Sequence, residues 1–300
     1  MIPEIFALAG QLPVRRLGYG TAQLTGPGYW GPRGEARDAV AVLRRAVERG
    51  VTLIDTADNY GPSVAEELVA EALYPYPAGL VIATKGGVVR TGPDAWHIEG
   101  RPERLRAMCE ASLRRLRLDT IDLYQLHRLD PDVPMAEQLG TLDELRREGK
   151  IRHIGLDSVT AEQLEAAREL TDIASVQNRY NLTDRASEPL LKLCEAHGIA
   201  FLPWFPLGNG SLTTDRAGST DIATAHGVPA DTCAAHGVSA DIATAHGVSP
   251  GQIALAWLLH RSPVLCPTPG TGSLAHLEEN LDAVAVRLGA EDMSRLDALS

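Results

Sequence analysis

Four side chains in the first half of the chain have the types and spacing for one reaction. Asp55 ends the apolar run Leu53-Ile-Asp55, Lys85 ends Leu80-Val-Ile-Ala-Thr-Lys85, and His127 ends the run Ile121 to His127. Tyr60 follows shortly after Asp55, in the loop Thr56-Ala-Asp-Asn-Tyr-Gly61. If the three runs are parallel strands, all four side chains face one pocket at their C-terminal ends. The chemistry that suits them is proton donation to a carbonyl as it is reduced. A free tyrosine, with a pKa of ~10, is a poor acid at neutral pH. A buried ammonium beside it favours phenolate and so lowers that value. An aspartate keeps the lysine charged and oriented, and a histidine hydrogen-bonds the carbonyl oxygen and fixes its approach. Each residue alone has a plainer reading, the aspartate as a helix cap and the histidine as a satisfied core group. It is their coincidence on successive strand ends that argues for a site.

The elements that must position them alternate along the chain. Ala36 to Arg49 has helical periodicity and a natural stop at Gly50, ahead of Leu53-Ile-Asp55. Helices are expected over Arg101–Leu116, Met135–Glu148, Thr160–Leu170, Ala186–His197, Gln252–His260 and Leu274–Ala285. Strands are expected over Leu17–Thr21, Ile151–Leu156, Ala174–Asn178, Ile199–Trp204 and Val264–Pro267, besides the three above. Such alternation means parallel strands with right-handed crossovers, in a closed barrel or an open doubly wound sheet. The pattern leaves both open. The glycine-rich turn usual in open nucleotide-binding sheets is absent, since Gly18-Tyr-Gly20 continues Thr-Ala-Gln23, and this favours the barrel. In a barrel, strand C-terminal ends are where active sites are built.

Composition narrows the setting. Hydrophobic residues make up 44% and charged residues 22% of the 300, the mix of a folded soluble protein. The formal net charge of −11 opposes nucleic acid as a partner. Cys109, Cys194, Cys233 and Cys266 are scattered, without a metal-binding or disulfide pattern. The N-terminus lacks the basic start of a secretory signal, and the apolar run Ile253–Leu259 is far short of the ~20 residues that span a bilayer. The expectation is a cytoplasmic protein with no membrane partner and no metal.

Residues 221–250 hold three tandem copies of a ten-residue unit. Asp221–Val228 and Asp241–Val248 are identical, and Asp231–Val238 is a variant. Each copy reads as a two-turn helix stopped by its glycine. A unit this short does not make a solenoid, so a local duplication in one connection is expected. His226, His236 and His246 read as solvated repeat positions and not as metal ligands.

The chain resembles the aldo/keto reductase family from about residue 12 to its end. Leu12-Pro-Val-Arg-Arg-Leu-Gly-Tyr-Gly-Thr21 is similar to the family's opening hairpin and first strand. Leu53-Ile-Asp-Thr-Ala-Asp-Asn-Tyr-Gly61 is similar to its signature, and Thr84-Lys-Gly86 and Leu123-Tyr-Gln-Leu-His127 match its lysine and histidine motifs. The Gly-Pro-Gly-Tyr-Trp-Gly run at 26–31 and Ser175-Val-Gln-Asn-Arg-Tyr-Asn-Leu182 look most like a bacterial branch that includes pyridoxal reductases. The resemblance implies a single (β/α)8 barrel over 1–300 with an N-terminal hairpin cap, the repeats lying between strand seven and helix seven. It implies a catalytic tetrad of Tyr60, Lys85, Asp55 and His127, an NADP(H) cofactor (or NAD(H)), and a small-molecule carbonyl substrate.

The same resemblance assigns cofactor contacts. Gln177 and Ser158 match positions that hold the carboxamide, and Trp204 stands where the family stacks an aromatic on the nicotinamide. Phe205, Leu207 and Gly208 match the pyrophosphate segment. Gly270, Thr271, Gly272, His276, Glu279 and Asn280 match the adenosine loop and helix, and Gly20, Thr21, Ala22 and Asp55 line the inner end. Tyr29, Trp30 and Trp96 are candidates for the substrate pocket. Two departures stand out. The usual Ser-Asn pair after strand five is Asp157-Ser158, and the cations that often grip the 2′-phosphate are replaced by Gly270 and His276. A cofactor-holding auxiliary protein with little turnover, like the family's potassium-channel subunits, is the alternative, and the complete tetrad weighs against it. A barrel of unrelated chemistry is a third, without a metal-ligand motif to support it.

Overall fold

Strand alternation decides what this fold places inside. The computed structural model describes residues 4–93, 95–213 and 230–299. In chain order the strands are β1 (Ile5–Leu8), β2 (Leu12–Arg15), β3 (Tyr19–Gly20), β4 (Leu53–Asp55), β5 (Val81–Gly86), β6 (Val88–Gly92), β7 (Ala95–Ile98), β8 (Ile121–Leu126), β9 (Ile151–Asp157), β10 (Ile173–Arg179) and β11 (Ala200–Trp204). The helices are α1 (Ala36–Glu48), α2 (Val64–Leu73), α3 (Pro102–Leu116), α4 (Met135–Arg147), α5 (Ala161–Arg168), α6 (Glu188–His197), α7 (Ala230–His246), α8 (Pro250–Arg261), α9 (Leu274–Asp282) and α10 (Ala290–Asp297).

Seven strands form one parallel sheet in the order β11-β10-β9-β8-β5-β4-β3. The expected strand at Val264–Pro267 closes it. Phe201 N–H donates to Val264 O (2.9 Å) and Cys266 N–H to Phe201 O (2.8 Å), while Gly18 N–H reaches Pro267 O (3.0 Å) on the other side. The architecture is therefore a (β/α)8 barrel. Only one regular bridge, Phe201 with Leu265, marks this closing strand.

Residues one apart on a strand face opposite ways. Leu53, Val81, Ala83, Leu123, Ala200, Leu202 and Cys266 fill the barrel, whereas Ile54, Ile82, Tyr124, Leu126, Ile154 and Phe201 pack outward among the helices. The antiparallel β1–β2 hairpin caps the barrel floor, adding Leu8 and Val14 to its inner cluster. Each such buried Leu, Val, Ile or Phe side chain contributes roughly 1.5–3 kcal/mol. Arg16, just beyond the hairpin, donates from buried Nε to Leu265 O (3.0 Å) and from Nη2 to Leu259 O (3.0 Å), tying the cap to α8 and the closing strand.

Several elements differ from expectation. The helix foreseen over Leu274–Ala285 is α9 followed by a separate tight turn, Ala283–Ala285. The helix α2, the β6–β7 hairpin and α10 are additional. The second and third repeats do not form one short helix each. The second and third copies merge in α7, which runs through Gly237 and ends before Gly247, at φ +66°. A mid-helix glycine costs only about 1 kcal/mol, and Ile242 and Ala243 bury themselves against the neighbouring helices. The first copy, with His226, lies outside the described residues. His246 meets Asp292 at 3.0 Å, and no cluster arranged for a metal ion occurs among the described residues. Nor is any described helix long and apolar enough to cross a membrane.

Candidate active site

The alternation that buries Leu53, Ala83 and Leu123 carries Asp55, Lys85, Gln125 and His127 inward at the strands' C-terminal ends. The neighbouring strands place Lys85 beside Gln125. Lys85 is completely buried; its Nζ lies 2.7 Å from Asp55 Oδ2 and 3.0 Å from Thr56 O. Gln125 donates to the other Asp55 oxygen at 3.0 Å. The third direction of the ammonium points to the Tyr60 hydroxyl, 3.4 Å away.

Tyr60 is held from both sides. Its carbonyl accepts from Ala65 N–H at the start of α2, and the next residue, Gly61, donates to Tyr29 O at 3.0 Å. Gly61 sits at φ +83°, and a Cβ there would lie 2.7 Å from Val64 Cβ, so only glycine allows this turn. His127 stands edge-on to the Tyr60 ring, their centroids 6.1 Å apart. The tetrad expected from the sequence is thus one contiguous group.

Burial pushes the Tyr60 hydroxyl up to about 12, against the lowering influence of Lys85. Lys85 acts in the expected direction, but desolvation exceeds it. Burial also works against the Lys85 ammonium, yet Asp55, then Tyr60 and Asp157, hold its pKa above the ordinary value. Burial drives His127 well below the usual imidazole range, helped by the Lys85, Arg128 and Arg90 cations. Asn59 Nδ2 lies 3.2 Å from Val88 O and 3.1 Å from His127 Nδ1. An amide donor at Nδ1 assigns the proton of the neutral ring to Nε2. That nitrogen is a ready donor to a carbonyl oxygen.

A cleft of about 1130 Å³ opens from the tetrad across the barrel mouth. It exceeds the roughly 300–1,000 Å³ usual for small-ligand sites and suits an extended occupant. Of the residues expected at the cofactor, Gly20, Ala22, Asp55, Gln177, Trp204, Phe205, Leu207, Gly270, Thr271, Gly272, His276, Glu279 and Asn280 line it. Thr21, Ser158 and Gly208 do not; Thr21 is buried with its amide on Asp55 O. Ser158 gives its hydroxyl to Asp157 Oδ1 at 2.6 Å and meets Arg128. Gly20 and Gly270 run backbone against backbone; a Cβ on Gly270 would come 2.6 Å from Gly20 O. The buried Trp204 indole N–H has no partner among the described residues. An unpaired donor at the cleft wall is what a bound polar ligand would satisfy.

Tyr29 and Trp96 line the tetrad end of the cleft, with ring centroids 6.2 Å apart, and Trp30 stands outside it. Arg90 builds this wall, stacking 3.7 Å above the Trp96 ring and donating to Gly28 O at 2.7 Å. Sequence reasoning missed Arg33, Arg128, Val88 and Ile98 in the lining. Arg128 directly follows a strand-end histidine, and that position was the available signal for it. Asp157, noted only as a departure, is buried beside His127 with its carboxylate 3.9 Å from Nε2, and Arg128 Nη1 lies 2.8 Å from it. Burial pushes Asp157 up to about 6.

With this geometry in view, a family model described as the aldo/keto reductase family matches residues 16–300. The chain belongs to the aldo/keto reductase family. Within it, the chain is similar to an uncharacterised oxidoreductase of Schizosaccharomyces pombe, 44% identical over 96% of this chain and 87% of that protein. It is also similar to pyridoxine 4-dehydrogenase of Escherichia coli, 38% identical over 97% of this chain and 96% of the other. Among solved members, an aldo-keto reductase from Klebsiella pneumoniae in complex with NADPH superposes with a TM-score of 0.79 at 28% identity, covering 100% of this chain and 95% of that one. The family gives an oxidoreductase of NAD(P)H chemistry, and the fold agrees with it.

Proposed function

We propose that this protein is an NADP(H)-dependent reductase of small aldehydes and ketones, with Tyr60 as proton donor. The observation that supports it most is the Tyr60 hydroxyl at the cleft floor, 3.4 Å from a Lys85 ammonium locked by Asp55. The cleft residues fit a dinucleotide: a glycine backbone floor at Gly20 and Gly270, an unpaired Trp204 N–H, and an open path to Ser273. Gln177, Trp204 and Phe205 would hold its inner half, and Gly270 to Asn280 its adenosine half. When bound, the reduced nicotinamide supplies a hydride to the carbonyl carbon.

The chain's own residues do the rest. His127, neutral with its proton on Nε2, donates to the carbonyl oxygen and orients it. Tyr60 keeps its proton at neutral pH, because burial raises its pKa to about 12. Negative charge growing on the substrate oxygen makes that oxygen the stronger base, and the proton passes from Tyr60 Oη. Lys85 then stabilises the phenolate until solvent reprotonates it. Tyr29 and Trp96 form an aromatic wall suited to a flat substrate. Pyridoxal is the first carbonyl to test, since a relative at 38% identity is a pyridoxine 4-dehydrogenase.

The test is tryptophan fluorescence during titration with NADPH and with NADH, followed by NADPH oxidation with pyridoxal and simple aldehydes. Quenching and turnover support the proposal. Tight binding without turnover on any carbonyl would make this an auxiliary cofactor-holding protein, and binding of neither nucleotide would overturn the reading.

A further inference from the structure

Relative to the family pattern, this chain lacks its cations at Gly270 and His276, the positions that grip a 2′-phosphate. The geometry points to Arg33, on the loop between β3 and α1, as the residue that supplies this recognition from the opposite wall of the cleft. The inference rests on the proposed cofactor orientation, with the adenosine half along 269–280.

Two guanidiniums line the cleft among the described residues, Arg33 and Arg128. Arg128 is committed to Asp157 at 2.8 Å. Arg33 is exposed, and among the described residues its contacts are neutral, to Gln23 O at 3.1 Å and Gln23 Oε1 at 3.3 Å. That same Gln23 carbonyl faces the adenosine loop: a Cβ on Gly272 would lie 3.7 Å from it. Gln23 Cγ likewise lies 3.5 Å from the Cβ position of Gly270. Arg33 therefore hangs beside the loop whose own cation is missing.

The helices support the placement. Helices α1 and α9 run side by side, joined by Arg49 Nη2 to Asp282 Oδ1 at 2.7 Å and by Arg45 to Glu278. Arg33 shortly precedes α1, and Ser273 caps α9, accepting from His276 N–H at 3.4 Å. The free amides and dipole at the start of α9 favour a phosphate, and the guanidinium adds a mobile charge that pairs with it bidentately. Glu279 shares this part of the cleft, but its carboxylate is engaged by Ser249 Oγ. Replacing Gly270 by a bulkier cation would drive its Cβ into Gly20 O, so the charge has to come from elsewhere. The Arg33 side chain reaches in without crowding the floor.

The experiment compares wild type, Arg33→Ala and Arg33→Lys for binding of NADPH, NADH, 2′,5′-ADP and 5′-AMP by fluorescence and calorimetry. Arg33→Ala is expected to weaken NADPH and 2′,5′-ADP by roughly ten- to a hundredfold, the range for a lost charge-assisted contact. NADH and 5′-AMP should change by less than about twofold, and Arg33→Lys should restore part of the loss, because a point charge survives without the planar fork. Unchanged NADPH affinity in Arg33→Ala overturns the inference and leaves the reductase reading intact. Equal weakening of NADPH and NADH also overturns it, because Arg33 would then serve the pyrophosphate common to both. If wild type binds neither dinucleotide, the parent reading fails first and the inference with it.

Discussion

Lys85 Nζ and Asp55 Oδ2 lie 2.7 Å apart at the buried end of the cleft, Lys85 being wholly buried. Coulomb attraction at such sites is largely spent on desolvation, so the pair adds little net stability while fixing where the ammonium points. It points at Tyr60. Removing one partner is a different matter, since it leaves a buried charge alone.

Asp55→Asn is therefore expected to destabilise the protein by about 3–5 kcal/mol at neutral pH. The sign of its pH dependence follows from Lys85. Its pKa is raised in the folded state, so its stabilising effect is complete below the unfolded value of ~10.4 and is lost only as pH rises through the higher folded value. Urea unfolding should show the full difference at pH 6 and a smaller one at pH 9, because the lone buried ammonium of the variant escapes its penalty by losing its proton while the wild-type pair stays charged. No destabilisation at pH 6 would mean that the pair is not the source of the effect.

Tyr60→Phe keeps the ring against Tyr29 and His127 but removes the proton. Turnover of a carbonyl substrate should fall by roughly 10²–10⁴-fold, the usual contribution of a positioned acid. NADPH affinity should hold within a factor of a few, and full activity in this variant would exclude Tyr60 as the donor.

The His127 ring is expected to be neutral at pH 7 with its proton on Nε2, because burial and three nearby cations oppose its charging. Nitrogen NMR shifts of the labelled ring report the tautomer directly. A protonation midpoint near the ordinary ~6.5 would show that the ring is not desolvated as described.

Legibility in the sequence followed the range of the interaction. Asp55, Lys85 and His127 were readable because strand ends are local features and the side-chain period of two fixes which way each faces. Tyr60 was readable from its loop. The helix start expected at Thr160 was also local, and reciprocal bonds between Thr160 and Gln163 cap it. The β6–β7 hairpin escaped because its strands are four and five residues long and follow β5 with hardly a break. The link between Arg128 and Asp157 escaped for a different reason: it joins adjacent strand ends far apart in sequence, and either residue alone looks like an ordinary surface charge. Gly237 misled because a helix tolerates one glycine when its neighbours are packed.

Asp157 gives the sharpest test of the site's electrostatics. Its carboxyl is pushed from 3.8 up to about 6, burial outweighing Lys85, Arg128 and the Ser158 hydroxyl. An acid whose folded pKa is raised binds more protons folded than unfolded in that interval, so stability falls as pH rises from about 4 to 6 and then stays low. The penalty at pH 7 is on the order of 2–3 kcal/mol, at about 1.4 kcal/mol per pKa unit. Asp157→Asn keeps the shape and an acceptor for Arg128 while abolishing the ionisation. The variant should thus be more stable than wild type at pH 7, and the gain should shrink toward zero near pH 4. Chemical unfolding at the two pH values measures both terms. A variant less stable at pH 7 would mean that the charged pair with Arg128 outweighs desolvation.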